Sequence, residues 1–559
     1  MLTNTLKGYQ RQWLVPDFMA GLIVAILITP QAIAYALLAG LPPEAGLYSA
    51  LLPVLVYALL GSSPLLAVGP AAVISLMTLE TLHKLAPVAS AQYVSLAAAL
   101  AFLVGVWLIL FWLIDLGRWT TFISATVISA FTSATAILIV ASQLPAILGI
   151  HSTTSADLWH SLSALWQHRS DIHLEATLFA LTVLLFLLAW QQYLPKLSQH
   201  LPSPLASLFN KAGPLLAVVL GIAYMSWQQP SLSVVGELPQ GLPHLGFPNI
   251  SLSEWKTLLP SSAVLALIAY LSSLSASEAI KESGQSSAKQ NQELMALGAA
   301  NIASALSQAF PTGGSFSRTL VNKAAGAKTQ MAGIFTVLLV GLFCVFANQA
   351  FKLLPQAVLG VIIVLAAWPL IRFQNGMAAW RFQKSEGLVW LLSFVMVLIS
   401  GAEKGILLGM LLSLVLYLKR TSMPHIAEVG RVGNSDHFRN VLHYKTNTHP
   451  EILLIRIDEN LYFANCQYLQ DIIMQRLNAR QGIKQVVLVG SAINYIDYNA
   501  FQTLSALLEA LRTQDIQLHL AEFKNPVLQQ LKSTPLLAQL PPGRVFFTAS
   551  EALRELGQI

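Results

Sequence analysis

Long apolar runs separated by short polar breaks fill the chain from Asp17 to about Arg420, after which the pattern changes. Read as helices, the runs are 16–39, 44–60, 68–82, 92–114, 119–142, 175–191, 213–227, 260–281, 292–307, 314–326, 330–348, 354–371, 386–400 and 402–419. The first of them, "FMAGLIVAILITPQAIAYALLAG", has about 23 residues and can cross a ~30 Å hydrocarbon core. It is read as a membrane helix, not as a cleaved signal peptide. The runs number fourteen, and the third and tenth are too short to cross unaided. Short, Gly/Pro-interrupted segments at corresponding places in two halves point to a transporter's binding site. Third and tenth are seven apart, so two inverted halves of seven spans make them equivalents.

Beyond Arg420 the period shortens. "EILLIRIDENLYFAN", "IKQVVLVGSAIN" and "IQLHLAEF" read as strands, while "CQYLQDIIMQRLNARQ", "NAFQTLSALLEALRTQ" and "NPVLQQLKS" have helical spacing. Strands alternating with helices predict a small α/β domain. The expected organisation is a segment 1–13, a membrane domain 14–421, a linker 422–439 and the α/β domain 440–559.

Composition agrees with this division. Of 559 residues, 55% are hydrophobic and 10% charged, against about 25% charged in soluble domains. Mean hydropathy is +0.61. If the first span starts inside, fourteen Lys and Arg residues, among them Lys7, Arg118, Lys323, Arg372 and Arg420, fall on the cytoplasmic side. Only Lys84, Arg169, Lys256, Lys352 and Lys404 fall outside. This asymmetry puts both termini, and the α/β domain, in the cytoplasm. Two cysteines, Cys344 and Cys466, suggest no disulfide framework. Outward loops are expected near 148–174 and 228–259. His151, His160, His168 and His173 in the first have no compact ligand spacing, so no metal is expected.

The chemistry lies in the two short spans. In "AVGPAAVISLM", Gly69-Pro70 suits only the opening of a helix, because proline lacks the N–H that later turns require. In "PTGGSFSRTLVN", Gly313-Gly314 unwinds the chain before a second helix begins. Helix N-termini at mid-membrane present amides without intrahelical partners and about half a positive charge each. Two of them facing one another make an anion site. Arg318 then has a reason to stand where charge is expensive, and an intramembrane ionisable residue is a functional candidate by default.

Three stretches carry a resemblance: "PQAIAYALLAGLPPEAGLYSALLPVLVYALLGSSPLLAVGPAAVISLM", "NQELMALGAANI" and "FPTGGSFSRTLVNKAAGAKTQMAG". With them the chain resembles the SulP family of anion transporters, the bacterial relatives of the human sulfate, chloride/bicarbonate and prestin group. "RIDENLYFAN" resembles the start of that family's STAS domain. The resemblance implies fourteen spans, a core domain moving against a gate domain, and a homodimer in the bacterial inner membrane. It places the anion pocket on Gln31 and Tyr35 of the first span, Pro70, Ala71 and Ala72 at the third, and Ser317 and Arg318 at the tenth. Gln31 supplies an amide donor, Tyr35 an aromatic wall with a hydroxyl, Ser317 a hydroxyl, and Arg318 a charge that does not titrate near neutrality.

One departure bears on coupling. Where many members carry a carboxylate in the eighth span, this chain has Ser272, and Ala276 stands where a second sodium ligand can be. Glu278 is the nearest acid on that span, with Asp17 and Glu80 as lesser candidates. Anion exchange, uncoupled movement and coupling through Glu278 stay open. In the α/β domain, Asp497 reads as a helix N-cap and is followed by Tyr498, not by the phosphorylatable serine of some STAS domains. A regulatory, folding or dimerisation role with a possible protein partner is expected there, without nucleotide.

Neither a nucleotide-binding phosphate loop nor a nucleophile constellation occurs, so no enzyme activity and no cofactor are expected. The expected function is secondary transport of a small anion by alternating access, sulfate first. Bicarbonate, chloride or C4-dicarboxylate transport, an uncoupled conductance, and a membrane-held STAS regulator are the alternatives.

Overall fold

The computed structural model describes residues 9–118, 124–150, 158–197, 209, 212–228, 232–236, 241–279, 290–346, 348–433, 435–540 and 545–556. The chain divides into two compact units, Met1–Ser413 and Leu414–Ile559.

The first unit is helical apart from two short strands, β1 (Val68–Gly69) and β2 (Gly313–Gly314). Its elements are α1 (Leu14–Leu38), α2 (Pro43–Ser49), α3 (Leu52–Leu60), α4 (Ala72–Leu82), α5 (Ala91–Leu113), α6 (Ala125–Leu148), α7 (Leu158–Gln167), α8 (Leu174–Leu197) and α9 (Gly213–Gln228). They continue with α10 (Leu252–Ala279), α11 (Gln290–Leu306), α12 (Phe316–Ala324), α13 (Met331–Phe346), α14 (Gln356–Ala367), α15 (Phe373–Phe382) and α16 (Lys384–Ser400), and α17 (Ala402–Ser422) runs on past the boundary. Seven helical stretches among the described residues are long and apolar enough to cross a membrane, and α4, α9 and α13 are shorter apolar helices. This is a polytopic membrane domain.

Three expectations change. The second run is not one helix: α2 ends at Ser49 and α3 begins at Leu52, because Pro53 occupies the first turn of α3 and cannot donate back to the previous turn. The stretch 148–174 is not all loop. Trp159, Leu162 and Trp166, spaced three and four apart on α7, form an exposed apolar stripe that suits a helix lying at a membrane surface. The helix of the eighth run, α10, starts at Leu252, eight residues before the expected position.

Packing sorts the helices into two groups. The helices α2, α3, α4, α5, α10, α11, α12 and α13 pack with α1 and with one another. A second group, α6, α8, α9, α14, α15 and α16, packs among itself. Contacts of α1 with α9 and α14, and of α4 with α6, join the two.

In the second unit, β3 (Ile426–Arg431), β4 (Phe438–Asn440), β5 (Ile452–Ile457), β6 (Gln485–Val489), β7 (Gln517–Ala521) and β8 (Val545–Phe546) form one sheet in the order β4-β3-β5-β6-β7-β8. Pairing is parallel from β5 to β8 and antiparallel for β3 with β4 and β5. Residues 426–431, expected in the linker, are therefore a sheet strand. Leu453, Ile455, Val486, Leu488, Leu518 and Leu520 face one core. Ile452, Leu454, Val487, Val489 and Ala521 alternate onto a second core covered by the helix Ala549–Glu555. Burial on both faces is why these strands read as continuous apolar runs. Asp497 caps the helix Tyr498–Arg512, its Oδ1 accepting from Ala500 N–H at 2.8 Å.

Candidate anion site between two half-helices

At 1.5 Å per residue, the 11 residues of α4 and the 9 of α12 reach about half of a ~30 Å core. Each follows a two-residue strand, and the strands pair antiparallel, Val68 with Gly314 and Gly69 with Gly313. The two helix starts therefore lie side by side. Gly69 has φ +146°, open only to glycine. A Cβ there would also meet Ile28 Cδ1 at 3.2 Å and Arg318 Nη2 at 3.3 Å. A Cβ on Gly314 would lie 2.7 Å from Ser273 Cα.

Unwound backbone buried at this depth needs partners, and side chains supply them. Asn301 accepts from Thr312 N–H at 2.9 Å and donates to its carbonyl at 3.0 Å. Ser304 donates to Phe310 O at 2.6 Å, and Ser273 Oγ accepts from Gly314 N–H at 2.7 Å. On the other arm, Thr319 Oγ1 accepts from Ala67 N–H, Asn322 donates to Leu65 O, and Gln330 donates to Ser63 and Leu66 carbonyls. Glu293 closes this arm. Its carboxylate, buried, accepts from Ser62 N–H, Ser63 N–H, Ser62 Oγ and the Tyr57 hydroxyl at 2.5–2.8 Å. Glu293 lies in the "NQEL" stretch, which carries the family resemblance, but the sequence reading gave this acid no role. The signal that an acid inside an apolar helix carries a role was present and unused.

Against this satisfied frame, two features stand out. Among the described residues no side chain caps the start of α4 at Ala71, and the cap of α12 is loose, Arg318 N–H lying 3.5 Å from Ser315 Oγ. Arg318 itself is 0% exposed, and among the described residues none of its three guanidinium nitrogens has a hydrogen-bond partner. Burying an unpaired charge costs several kcal/mol, so this arginine is suited to an anionic ligand.

The expected pocket residues fall as follows. Pro70, Ala71, Ala72 and Arg318 are brought together by the strand pairing. Tyr35, buried on α1, is close enough to Arg318 for an electrostatic interaction. Gln31, one turn earlier on α1, is buried with its Oε1 unpartnered among the described residues. Ser317 differs from the buried position its neighbour takes: it is exposed, its hydroxyl 3.4 Å from Ser315 Oγ. Ser272 is half-buried and donates to Ala269 O within its own helix, and Ala276 is fully buried. Glu278 lies on α10, but its side chain falls outside the described residues, as does His151.

The lesser acids have structural partners. Asp17 accepts from Lys328 N–H, Thr329 N–H and Thr329 Oγ1. Glu80 accepts from Ala402 N–H at the start of α17.

Comparison with known proteins gives the family and the fold. Residues 14–393 match the sulfate permease family and residues 443–552 the STAS domain. The chain is 35% identical over 514 residues to the chloroplastic sulfate transporter 4.1 of Arabidopsis thaliana, covering 90% of this chain and 74% of that protein. Among solved structures, murine Slc26a9, an anion transporter in the inward-facing state, superposes with TM-score 0.90 at 22% identity, covering 100% of this chain and 94% of that one. The transmembrane domain of the cyanobacterium bicarbonate transporter BicA gives 0.60 at 22% identity, over 72% and 98%. At these identities the structural likenesses speak to fold alone.

Proposed function

The chain belongs to the sulfate permease family and is a secondary active anion transporter, not an enzyme; on that footing, we propose that it moves sulfate, held between the starts of α4 and α12. Arg318 supplies the fixed positive charge, and Gln31, Tyr35, Pro70, Ala71, Ala72 and Ser317 line the same pocket. The observation that carries this reading is the buried guanidinium, without a hydrogen-bond partner among the described residues, beside the uncapped start of α4 and the loosely capped start of α12. Sulfate is supported by the name of the Arabidopsis relative, while the bicarbonate transporter BicA keeps bicarbonate as the alternative, with chloride and C4-dicarboxylates after it.

The architecture that fits is fourteen spans in two inverted halves of seven, with α4 and α12 as equivalents. The two packing groups support alternating access, in which one carries both half-helices past the other. A homodimer in a bacterial inner membrane, both termini cytoplasmic, completes the reading, with the membrane domain ending near 421 and the STAS domain acting as a regulator.

Ser272, where an acid would sit, favours exchange or uncoupled movement over proton or sodium symport. The test is radiotracer uptake into proteoliposomes with sulfate, bicarbonate, chloride and fumarate, under separately imposed pH, sodium and counter-anion gradients. Saturable sulfate uptake that Arg318→Ala abolishes supports the proposal. Unchanged uptake in that variant removes Arg318 from the mechanism.

A further inference from the structure

A second arginine approaches the start of α12 from the other packing group. Arg372 lies between α14 and α15, and its backbone is fixed to α6. The buried Ser133 hydroxyl accepts from Arg372 N–H at 3.1 Å and donates to Leu370 O at 3.4 Å. Ser129, four residues earlier and so on the same face of α6, accepts from Asn375 Nδ2 at 3.0 Å. Arg372 therefore moves with α6.

Its side chain reaches across to the group that carries α12. The guanidinium carbon stands 5.8 Å from the centre of the Phe316 ring, within cation–π range. Phe316 is the first residue of α12, exposed Ser317 follows, and buried Arg318 comes next. Arg372 is exposed, and among the described residues it makes no ion pair. Its one side-chain hydrogen bond among the described residues is a long one, Nε donating to Pro369 O at 3.4 Å. A ring thus parks an unneutralised cation at the accessible edge of the helix turn whose inner edge holds Arg318. Positive potential at a mouth raises the local concentration of anions and their rate of arrival.

We propose that Arg372 is a second cationic station for the transported anion, gathering it at the accessible mouth of the Arg318 site before it reaches the half-helices. The inference rests on the reading of that site. A packing arginine on a phenylalanine would have no such effect on anion capture, which gives the test its contrast.

Full-length protein in proteoliposomes is assayed for initial rate against sulfate concentration, for entry from each face, at low and at high ionic strength. Arg372→Gln should raise KM about three- to tenfold for entry from one face at low ionic strength, with kcat nearly constant. The difference should close at high salt, where the Debye length shrinks. Arg372→Lys, which restores the charge without the planar stack, should recover most of the shift. An unchanged KM for Arg372→Gln at low salt overturns the inference, as does an Arg372→Lys variant as impaired as Arg372→Gln. Arg318→Ala run in parallel separates the two failures. If it keeps saturable uptake, the site itself is wrong; if it loses uptake while Arg372→Gln is flat, only the mouth is wrong.

Discussion

Replacing Arg318 with methionine, close in volume and uncharged, should move stability and affinity in opposite directions. The guanidinium is fully buried, and its three nitrogens have no hydrogen-bond partner among the described residues, so without anion it is a desolvated charge with little compensation. Exchange of buried charged groups for apolar ones of similar volume is often stabilising by about 1–4 kcal/mol. Anion-free Arg318→Met should therefore melt a few degrees above the parent. The bound anion tells the reverse story. At about 4 Å and an effective dielectric near 20, one unit of anion charge gains about 4 kcal/mol from the guanidinium. That is on the order of a thousandfold in affinity. Thermal unfolding in detergent, followed with and without sulfate, reads both effects. At a hundred times its Kd, sulfate should stabilise the parent by about 2.7 kcal/mol, and the variant should show none of that gain. A variant that melts lower without anion, and still responds to sulfate, would refute the reasoning, because Arg318 would then be a structural tether.

Further outcomes follow from the frame around the site. Ser273→Ala strands the buried Gly314 N–H and should cost about 1–3 kcal/mol, seen as a lower melting temperature; an unchanged one would mean the amide finds another partner. Glu293→Ala leaves two amides, that of Ser63 buried, and two hydroxyls without their acceptor. It should lower stability by several kcal/mol, on the order of breaking a buried charged network, and Glu293→Gln should lower it less; equal effects would count against the four-bond role. Ser272→Glu should give uptake a dependence on pH that the parent lacks, and a flat profile in the variant would sever the link between that position and coupling. Asp497→Ala should cost about 1 kcal/mol through loss of the N-cap, with Asp497→Ser recovering most of it in full-chain unfolding.

How much of this was legible from the amino acids depends on the kind of signal each element leaves. The half-helices were, because Gly69-Pro70 and Gly313-Gly314 can do little else inside apolar sequence. The strands of the second unit were too, their two buried faces leaving unbroken runs such as "ILLIRI". Strand β3 escaped because "IAEVGR" alternates weakly and sits beside charged residues; only its pairing with β5 reveals it. The division of α2 from α3 turns on Pro53, whose effect a hydropathy pattern hides. Ser317's exposure could not be seen, since neighbours on a helix point about 100° apart and burial depends on what packs opposite. Arg372's approach to Phe316 joins residues 56 apart (372 − 316) on separate packing groups, a relation no local pattern encodes.

The most direct test of the anion site is a structure of the full chain determined with selenate, using its anomalous signal. The account predicts a peak within hydrogen-bond reach of the Arg318 guanidinium, between the first turns of α4 and α12. A selenate peak elsewhere in the membrane domain, with none at Arg318 under conditions where selenate saturates uptake, would contradict it.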